Sequence, residues 1–277
     1  MHTVLSADGT HIAYDRSGSG PALIHVTGAL CDRSTGAPLA ALLAPYFTVF
    51  TYDRRGRGDS GDTAPYQVER EVEDLAAVIA EAGGSASVYG MSSGAALALH
   101  AAAQGAAITR LALFEPPYSP DDEERPAQAR AYAAKLGELL AAGRRGDAVE
   151  LFMTMVGLPA ELIGQMRNAP MWPAFEALAP TLAYDAAVMG NASTGSALPV
   201  ELVAKVGVPA LVADGGASPA WLRAMASRLA DALPEGRHRT LMGQTHDVDP
   251  QALAPLLREF LSDPTPARPP REPGRRP

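Results

Sequence analysis

The fold is decided by the stretch Ala86-Ser87-Val88-Tyr89-Gly90-Met91-Ser92-Ser93-Gly94-Ala95-Ala96-Leu97. Val88 and Tyr89 favour a strand, and the alanine- and leucine-rich residues 95–104 favour a helix. The turn between them has the sequence Gly90-x-Ser92-x-Gly94, a pattern in which a serine is exposed on a strained backbone between strand and helix. The pattern predicts that Ser92 is a nucleophile, although taken alone it fits a short turn rich in glycine and serine equally well.

The composition is that of an ordinary globular protein. Of the 277 residues, 47% are hydrophobic and 19% are charged, which suits one large α/β domain or two small ones. The formal net charge of -8 and the scattered basic residues argue against nucleic acid as a partner. Because Cys31 is the single cysteine, an internal disulfide and a thiolate zinc site are excluded, and we expect no metal and no cofactor.

The apolar runs and the C-terminal composition bear on location and order. The N-terminus lacks the apolar core of a secretory signal, and no apolar stretch reaches the roughly 18 residues of a transmembrane helix. We therefore expect a cytoplasmic protein with no membrane partner, either a monomer or a homodimer. The proline- and arginine-rich residues 263–277 are expected to be disordered, as a solvated tail in preference to a docking arm.

Strands and helices alternate along most of the chain. After an opening hairpin around Asp8-Gly9, apolar runs typical of buried strands lie before Gly90 and at residues 22–26, 47–52, 108–114 and 209–213, and a last strand is predicted at residues 237–241. Helical patterns lie between them at residues 39–44, 68–82, 95–104, 220–232 and 250–261. This alternation predicts an α/β fold with a doubly wound, mostly parallel sheet.

Residues 118–206 interrupt this alternation. Their pattern is helical at residues 127–142, 147–156, 160–166 and 174–189, with punctuating prolines and no strand signal. We predict that the segment is a helical lid inserted into a core formed by residues 1–117 and 207–262. Aromatic and thioether side chains suit an adaptable apolar pocket, and we expect the substrate to meet Met91, Tyr118, Trp172 and Met189.

One of the six histidines lies where a general base is expected. His246 follows the last predicted strand, in a loop at the carboxyl edge of the sheet, where the catalytic groups of open α/β folds gather. The other histidines lie before or within predicted elements. A capping or core histidine is the alternative interpretation of His246.

Three motifs in this order resemble the α/β-hydrolase superfamily, specifically its lidded bacterial serine hydrolases. They are Gly90-Met91-Ser92-Ser93-Gly94, Tyr52-Asp53-Arg54-Arg55-Gly56-Arg57-Gly58-Asp59-Ser60 and Gly243-Gln244-Thr245-His246-Asp247. The resemblance covers nearly all of residues 2–262 and implies the α/β-hydrolase fold, with Ser92 as nucleophile and His246 as general base. It also implies an oxyanion hole formed by the backbone N–H groups of Ser93 and Ala29.

The acid that should orient His246 departs from the family pattern. Ser218 stands where the family usually has a carboxylate, and a serine cannot stabilise an imidazolium ion. Two carboxylates are candidates: Glu115 ends the strand after the elbow, and Asp214 ends the strand before the usual loop. We favour Glu115, because a carboxylate at that strand end is hard to explain as structure, whereas Asp214 beside two glycines fits a turn cap. Asp214 stays the competing acid.

The charged loop that follows residues 47–52 is rich in arginine. Arginines can form a phosphate site, but acidic residues stand alongside them here, so we expect a salt-linked loop. The residues are Arg54, Arg55 and Arg57 with Asp53, Asp59 and Asp62.

The resemblance implies acyl transfer to Ser92 followed by release with water. A serine in place of an aspartate disfavours the dehalogenase and epoxide hydrolase branches. The expected function is hydrolysis of a small or medium apolar ester, lactone or thioester. The alternatives are a cofactor-free lyase, a perhydrolase, a tailoring enzyme or cyclase on the same site, or a hydrolase-like protein that binds a ligand without turnover.

Overall fold

The computed structural model describes residues 1–120 and 124–263, and the sheet they contain has eight strands. The strands are β1 (His2–Leu5), β2 (His11–Ser17), β3 (Ala22–Val26), β4 (Thr48–Tyr52), β5 (Ala86–Met91), β6 (Ile108–Phe114), β7 (Ala210–Gly215) and β8 (Gly236–Leu241). Their order is β1-β2-β4-β3-β5-β6-β7-β8. Pairing is antiparallel from β1 through β2 to β4 and parallel across the rest of the sheet. The predicted α/β fold with a mostly parallel sheet is confirmed.

Helices cover both faces of this sheet. They are α1 (Ala37–Leu43), α2 (Val68–Glu81), α3 (Ser93–Ala103), α4 (Glu124–Ala141), α5 (Arg145–Met155), α6 (Ala160–Arg167), α7 (Trp172–Leu178), α8 (Leu182–Val188), α9 (Asn191–Thr194), α10 (Val200–Val203), α11 (Ala220–Ala232) and α12 (Pro250–Leu261). Successive strand residues point to opposite faces, so Val88 of β5 packs with α2, α3 and α11, whereas Tyr89 packs with α1 and α12. Burial on both faces explains why the inner strands β3 to β7 are apolar runs in the sequence.

Helices α4 to α10 lie between β6 and β7, within the segment predicted as a lid. Helices α4 to α8 share a core of their own, which includes Leu136, Val149 and Leu182, and Leu30 from the loop after β3 also packs into it, whereas Val203 of α10 packs into the core of α2, α3 and α11. One detail of the prediction is wrong: the helix expected over residues 174–189 is divided into α7 and α8 by the short 3₁₀ helix Ala179–Thr181, where Pro180 cannot continue the α-helical hydrogen bonds.

The proposed division of the chain stays a prediction. It assigns residues 1–117 and 207–262 to the core and residues 118–206 to a lid. The tail expected to be disordered over residues 263–277 lies, apart from Asp263, outside the described residues.

The carboxyl ends of the parallel strands meet at one edge of the sheet. β3, β5 and β6 are neighbours in register there, with Val26 opposite Gly90 and Met91 opposite Phe114. The loop after β3, Ser92 after β5 and Glu115 after β6 therefore lie side by side at this edge. Polar groups gather at this edge in open α/β sheets.

Candidate active site

Ser92 occupies a strained turn between β5 and α3. Its φ of 56° and ψ of -127° are rarely adopted by a residue with a side chain, so the surrounding structure must hold it there. The flanking glycines make the turn possible: a Cβ on Gly90 would lie 2.5 Å from the carbonyl oxygen of Gly94, and one on Gly94 would lie 2.4 Å from that of Val26. The N–H of Ser92 donates to the carbonyl of Phe114 at 2.9 Å, which fixes the turn to β6.

Glu115, which follows the Phe114 carbonyl that holds this turn, forms a hydrogen-bonded pair with His246. Nδ1 of His246 lies 2.7 Å from Oε2 of Glu115, whose side chain is fully buried. The other carboxylate oxygen, Oε1, accepts the N–H of Gly215 at 2.8 Å, so the carboxylate cannot rotate freely. Because Nδ1 faces the carboxylate, Nε2 is the ring nitrogen left to exchange a proton with a nucleophile.

Asp214 is bound to a different histidine. Its Oδ2 forms a short contact with Nε2 of His238 and accepts a hydrogen bond from the hydroxyl of Thr240 at 3.3 Å. Both partners belong to β8, on the same face of the strand. Of the two candidate acids, the structure thus brings Glu115 to His246 and holds Asp214 against β8.

The two predicted oxyanion donors flank Ser92. A Cβ on Gly28 would lie 3.0 Å from Cβ of Ser92 and 3.7 Å from its hydroxyl oxygen, so the backbone before Ala29 passes directly beside the serine. Ser93 is the first residue of α3, and the N–H groups of a first helical turn have no acceptor within the helix. Binding of an oxyanion by the N–H groups of Ala29 and Ser93 stays a prediction.

A second imidazole, that of His25, is buried in the core next to Tyr89. The ring of Tyr89 lies against that of His25, with the centroids 4.9 Å apart and the ring planes tilted by 34°. Complete burial lowers the pKa of His25 to about 4, so its ring is uncharged at neutral pH. Burial, and after it the charge of Glu115, raises the pKa of the Tyr89 hydroxyl. His25 therefore belongs to the core, as its position inside a strand predicted.

The four residues expected to line the substrate pocket lie in different parts of the structure. Met91 is partly buried against the core of α1 and α12, and Tyr118 and Met189 are buried in the core of α2, α3 and α11. Trp172 is buried among the helices between β6 and β7, where its indole N–H donates to Glu176 at 3.2 Å. Contact of these side chains with a substrate stays a prediction.

The arginine-rich loop is salt-linked, but its partners come mostly from distant elements. Arg54 pairs with Glu71 of α2 through two contacts of 2.6 and 2.8 Å, and Arg55 pairs with Asp74 of the same helix at 2.7 Å. Arg54 and Arg57 both contact Asp185 of α8, at 2.7 and 2.8 Å.

The acidic residues within the loop have other partners. Asp53 and Asp59 pair with Arg33, and Asp62 accepts the hydroxyl of Tyr184 at 2.6 Å. The expectation that the loop's own aspartates neutralise its arginines is therefore wrong. Sequence reasoning missed Asp185 and Arg33, because neither lies in a recognisable motif.

The described residues contain neither a cluster of metal ligands nor a membrane-spanning helix. Within residues 1–120 and 124–263, no group of three or more histidine, cysteine, aspartate and glutamate side chains is placed to hold a metal ion. In the same part of the chain, none of the helices combines the length and the apolar character needed to cross a bilayer.

Known proteins resemble this chain over most of its length. A family model described as the alpha/beta hydrolase family matches residues 18–256. The crystal structure of an alpha/beta hydrolase from Sphaerobacter thermophilus is 58% identical, with a TM-score of 0.85 over 94% of this chain and 99% of that one. A thermophilic esterase from Thermogutta terrifontis, 21% identical with a TM-score of 0.68 over 94% of this chain and 97% of that one, shows a likeness of fold alone.

One curated relative matches over a shorter segment. N-formylmaleamate deformylase from Pseudomonas putida is 38% identical over 137 residues, which are 48% of this chain. The match spans 49% of the deformylase, about half of its length.

Proposed function

The chain belongs to the alpha/beta hydrolase family, and on that premise we propose that it is a serine hydrolase acting through an acyl-enzyme on Ser92. Its substrate is a small or medium apolar ester, lactone or thioester. One observation supports this above all: a fully buried Glu115 lies 2.7 Å from Nδ1 of His246, at the sheet edge that carries a strained serine.

The first half of the reaction forms the acyl-enzyme. Nε2 of His246 takes the proton of Ser92 as the serine oxygen attacks the substrate carbonyl. Glu115 holds the ring in the tautomer with the proton on Nδ1 and stabilises the imidazolium that forms. The N–H groups of Ala29 and Ser93 bind the oxyanion, and His246 then protonates the leaving alkoxide or thiolate, so that the tetrahedral intermediate collapses to the acyl-enzyme.

The second half returns the enzyme to its starting state. His246 removes a proton from water, and the resulting hydroxide attacks the acyl carbonyl in the same oxyanion hole. Collapse of the second tetrahedral intermediate breaks the bond to Ser92, whose oxygen recovers its proton from His246. An ester or thioester gives a carboxylic acid and the alcohol or thiol released earlier, whereas a lactone gives a single hydroxy acid, because its leaving oxygen stays attached to the acyl group.

The charges near the site favour an uncharged substrate. Arg54, Arg55 and Arg57 are buried and already paired with carboxylates, so none of them is available to bind an anionic group without breaking an ion pair. Helices α4 to α8 add an apolar core that is continuous with Leu30, next to Ala29. A neutral acyl group therefore fits these surroundings better than a charged one.

A second candidate reaction is hydrolysis of a formyl amide. The observation that favours it is the 38% identity to N-formylmaleamate deformylase, which extends over about half of each chain. The same attack by Ser92 and protonation of the leaving nitrogen by His246 would cleave a C–N bond, so this candidate changes the leaving group and not the site.

The test is a panel of p-nitrophenyl esters of increasing acyl length, a lactone, a thioester and an N-formyl amide, assayed with the wild type and Ser92→Ala. We expect turnover of an apolar ester, lactone or thioester, lost by at least about 10⁴-fold in Ser92→Ala. Ser87→Ala is the matched control, because Ser87 lies on the same strand and its hydroxyl contacts Thr109 at 3.2 Å. Turnover that survives in Ser92→Ala would refute the assignment, and a preference for the N-formyl amide would favour the second candidate.

A further inference from the structure

A carboxylate from the helical segment between β6 and β7 contacts Ser93, the residue next to Ser92. Asp185 of α8 is 5% exposed, and its Oδ1 accepts hydrogen bonds from three groups. These are Nη1 of Arg54 at 2.7 Å, Nη2 of Arg57 at 2.8 Å and the hydroxyl of Ser93 at 2.7 Å. One oxygen atom therefore joins the helical segment, the arginine-rich loop and the residue next to Ser92.

Arg57 transmits this contact to the loop after β3. Its Nη1 donates to the carbonyl oxygen of Gly28 at 2.5 Å and to that of Cys31 at 3.3 Å. The carbonyl of Gly28 and the N–H of Ala29 belong to the same peptide group, which is planar and trans, so they point in opposite directions. Fixing the carbonyl on one side therefore fixes the direction of the Ala29 N–H on the other.

The hydrogen bond from Arg57 also acts on the strength of that N–H as a donor. A cationic donor on the carbonyl oxygen makes a stronger hydrogen bond than a neutral one. Hydrogen bonds in series polarise one another in a low-dielectric interior. The Gly28–Ala29 peptide is thus both oriented and polarised by a guanidinium that Asp185 holds.

The charges of the cluster balance, which keeps it in place. Arg54 and Arg57 are matched by Glu71 and Asp185, and each of the four residues is at most 5% exposed. Burial opposes ionisation of Asp185, but Arg57 and Arg54 outweigh it and lower the pKa of the carboxyl, so it stays charged. Removing one member leaves a buried charge without its partner, which is strongly unfavourable.

Helix α8 also contacts the segment between β4 and α2. The ring of Tyr184 stacks on that of Tyr66 at a centroid distance of 3.8 Å and an angle of 4°, and its hydroxyl donates to Asp62 at 2.6 Å. Tyr184 directly precedes Asp185, so these contacts help to hold the carboxylate of Asp185 close to the two arginines.

We propose that Asp185 is a positioning residue for the oxyanion hole, acting on the Ala29 N–H through Arg57 and on Ser93 through its hydroxyl. This role rests on the proposed hydrolase function. It makes the geometry of the hole depend on the docking of α8, so the helical segment contributes to the rate as well as to the shape of the site.

The test compares Asp185→Asn with Asp74→Asn. Asp74 is a matched control because it is also a buried carboxylate that pairs with an arginine of the same loop, at 2.7 Å, whereas Arg55 goes on to contact Asp8 and the carbonyl of Arg70. We expect Asp185→Asn to lower kcat by about 10- to 100-fold with little change in KM, because it misplaces an oxyanion donor without removing a substrate contact. Asp74→Asn should lose thermal stability and keep kcat.

A second readout separates positioning from loss of structure. An aliphatic trifluoromethyl ketone adds to an active serine and places an oxyanion in the hole. Its inhibition constant should rise in Asp185→Asn by the same factor by which kcat falls, and it should be unchanged in Asp74→Asn. Equal kcat and equal inhibition constants in the two folded variants would overturn the role of Asp185.

Arg57→Lys keeps the test decisive if Asp185→Asn does not fold. A lysine ammonium lacks the fork of the guanidinium and cannot hold the Gly28 carbonyl and Asp185 in the same geometry. The same paired loss of kcat and inhibitor binding is expected, and wild-type values in a folded Arg57→Lys would overturn the proposal. Failure of the hydrolase assignment looks different, because the wild type would then show neither Ser92-dependent turnover nor inhibition by the ketone.

Discussion

Replacement of Glu115 by glutamine tests the proposed acid at its two contacts. Oε1 accepts the Gly215 N–H at 2.8 Å, and Oε2 faces Nδ1 of His246 at 2.7 Å. A glutamine keeps one acceptor oxygen, and the Gly215 N–H requires it, so the side-chain NH₂ must face Nδ1. An NH₂ group there can only donate, which forces the proton of His246 onto Nε2 and removes the base.

The size of the effect follows from this change of tautomer. The same acid-to-amide change in a serine–histidine–aspartate triad lowers kcat by about 10⁴, equivalent to about 5 kcal/mol of transition-state stabilisation. We therefore expect Glu115→Gln to lose turnover of an apolar ester by about 10³- to 10⁴-fold. Loss of an ordinary hydrogen bond, about 1 kcal/mol, would give only a several-fold effect.

Asp214→Asn is the control for this measurement. Asp214 is an equally buried carboxylate one strand away, and it contacts His238 and Thr240. The assay is steady-state hydrolysis of the best ester by both variants, after their thermal unfolding has shown that they are folded. The reasoning is refuted if Asp214→Asn loses more turnover than Glu115→Gln.

Three further changes test other parts of the structure. The pKa of His25 is about 4 when folded and about 6.5 when unfolded, so the unfolded state binds more protons between these values and the free energy of unfolding should fall as the pH falls through this window, by up to about 3 kcal/mol. In His25→Phe, the free energy of unfolding measured in urea should fall less as the pH is lowered. An identical pH dependence in the wild type and the variant would contradict the burial of a neutral His25. Gly28→Ala would place a Cβ 3.0 Å from that of Ser92, so we expect kcat to drop by roughly tenfold or more with the fold retained, and wild-type turnover would be evidence against a close approach. Tyr184→Phe removes the hydrogen bond from the hydroxyl to Asp62 and keeps the ring. The free energy of unfolding measured in urea should therefore fall by about 1 kcal/mol. An unchanged free energy of unfolding would mean that this hydrogen bond does not hold α8 in place.

The sheet and the strained turn at Ser92 were predictable because their signals are local. The inner parallel strands β3 to β7 are buried on both faces and therefore appear as short apolar runs in the sequence, whereas the edge strand β8 is partly exposed and polar. The turn at Ser92 needs glycine at positions 90 and 94 for contacts that admit no Cβ, and this requirement is visible as a motif. The proposal of His246 as the base rests on its place after the last strand, and the structure places its ring against Glu115.

The choice of Glu115 over Asp214 shows how far position along a strand can be used. Both carboxylates end a parallel strand, and the sequence offers no distance between either of them and a histidine. Glu115 follows the neighbour of β5 and meets His246, whereas Asp214 is held by β8, an edge strand whose histidine was assigned to the sheet. Pairing across such separations is a property of the folded chain.

The buried ion pairs were out of reach for the same reason. Arg57 and Asp185 are 128 residues apart, and the aspartate lies in a short helix without a motif. Local reasoning paired the loop's arginines with the loop's own aspartates, which the structure instead gives to Arg33 and Tyr184. The break at Pro180 is a different case. The proline is visible in the sequence, but the helical pattern on both sides of it favours one continuous helix over residues 174–189.

The most direct test of the central claim is the intact mass of the protein after treatment with an alkyl fluorophosphonate. This reagent phosphonylates serines that an adjacent base has activated. A single adduct on the wild type, absent from Ser92→Ala and retained by Ser87→Ala, is the predicted result. An adduct that persists in Ser92→Ala, or none on the folded wild type, would contradict the assignment of Ser92 as an activated nucleophile.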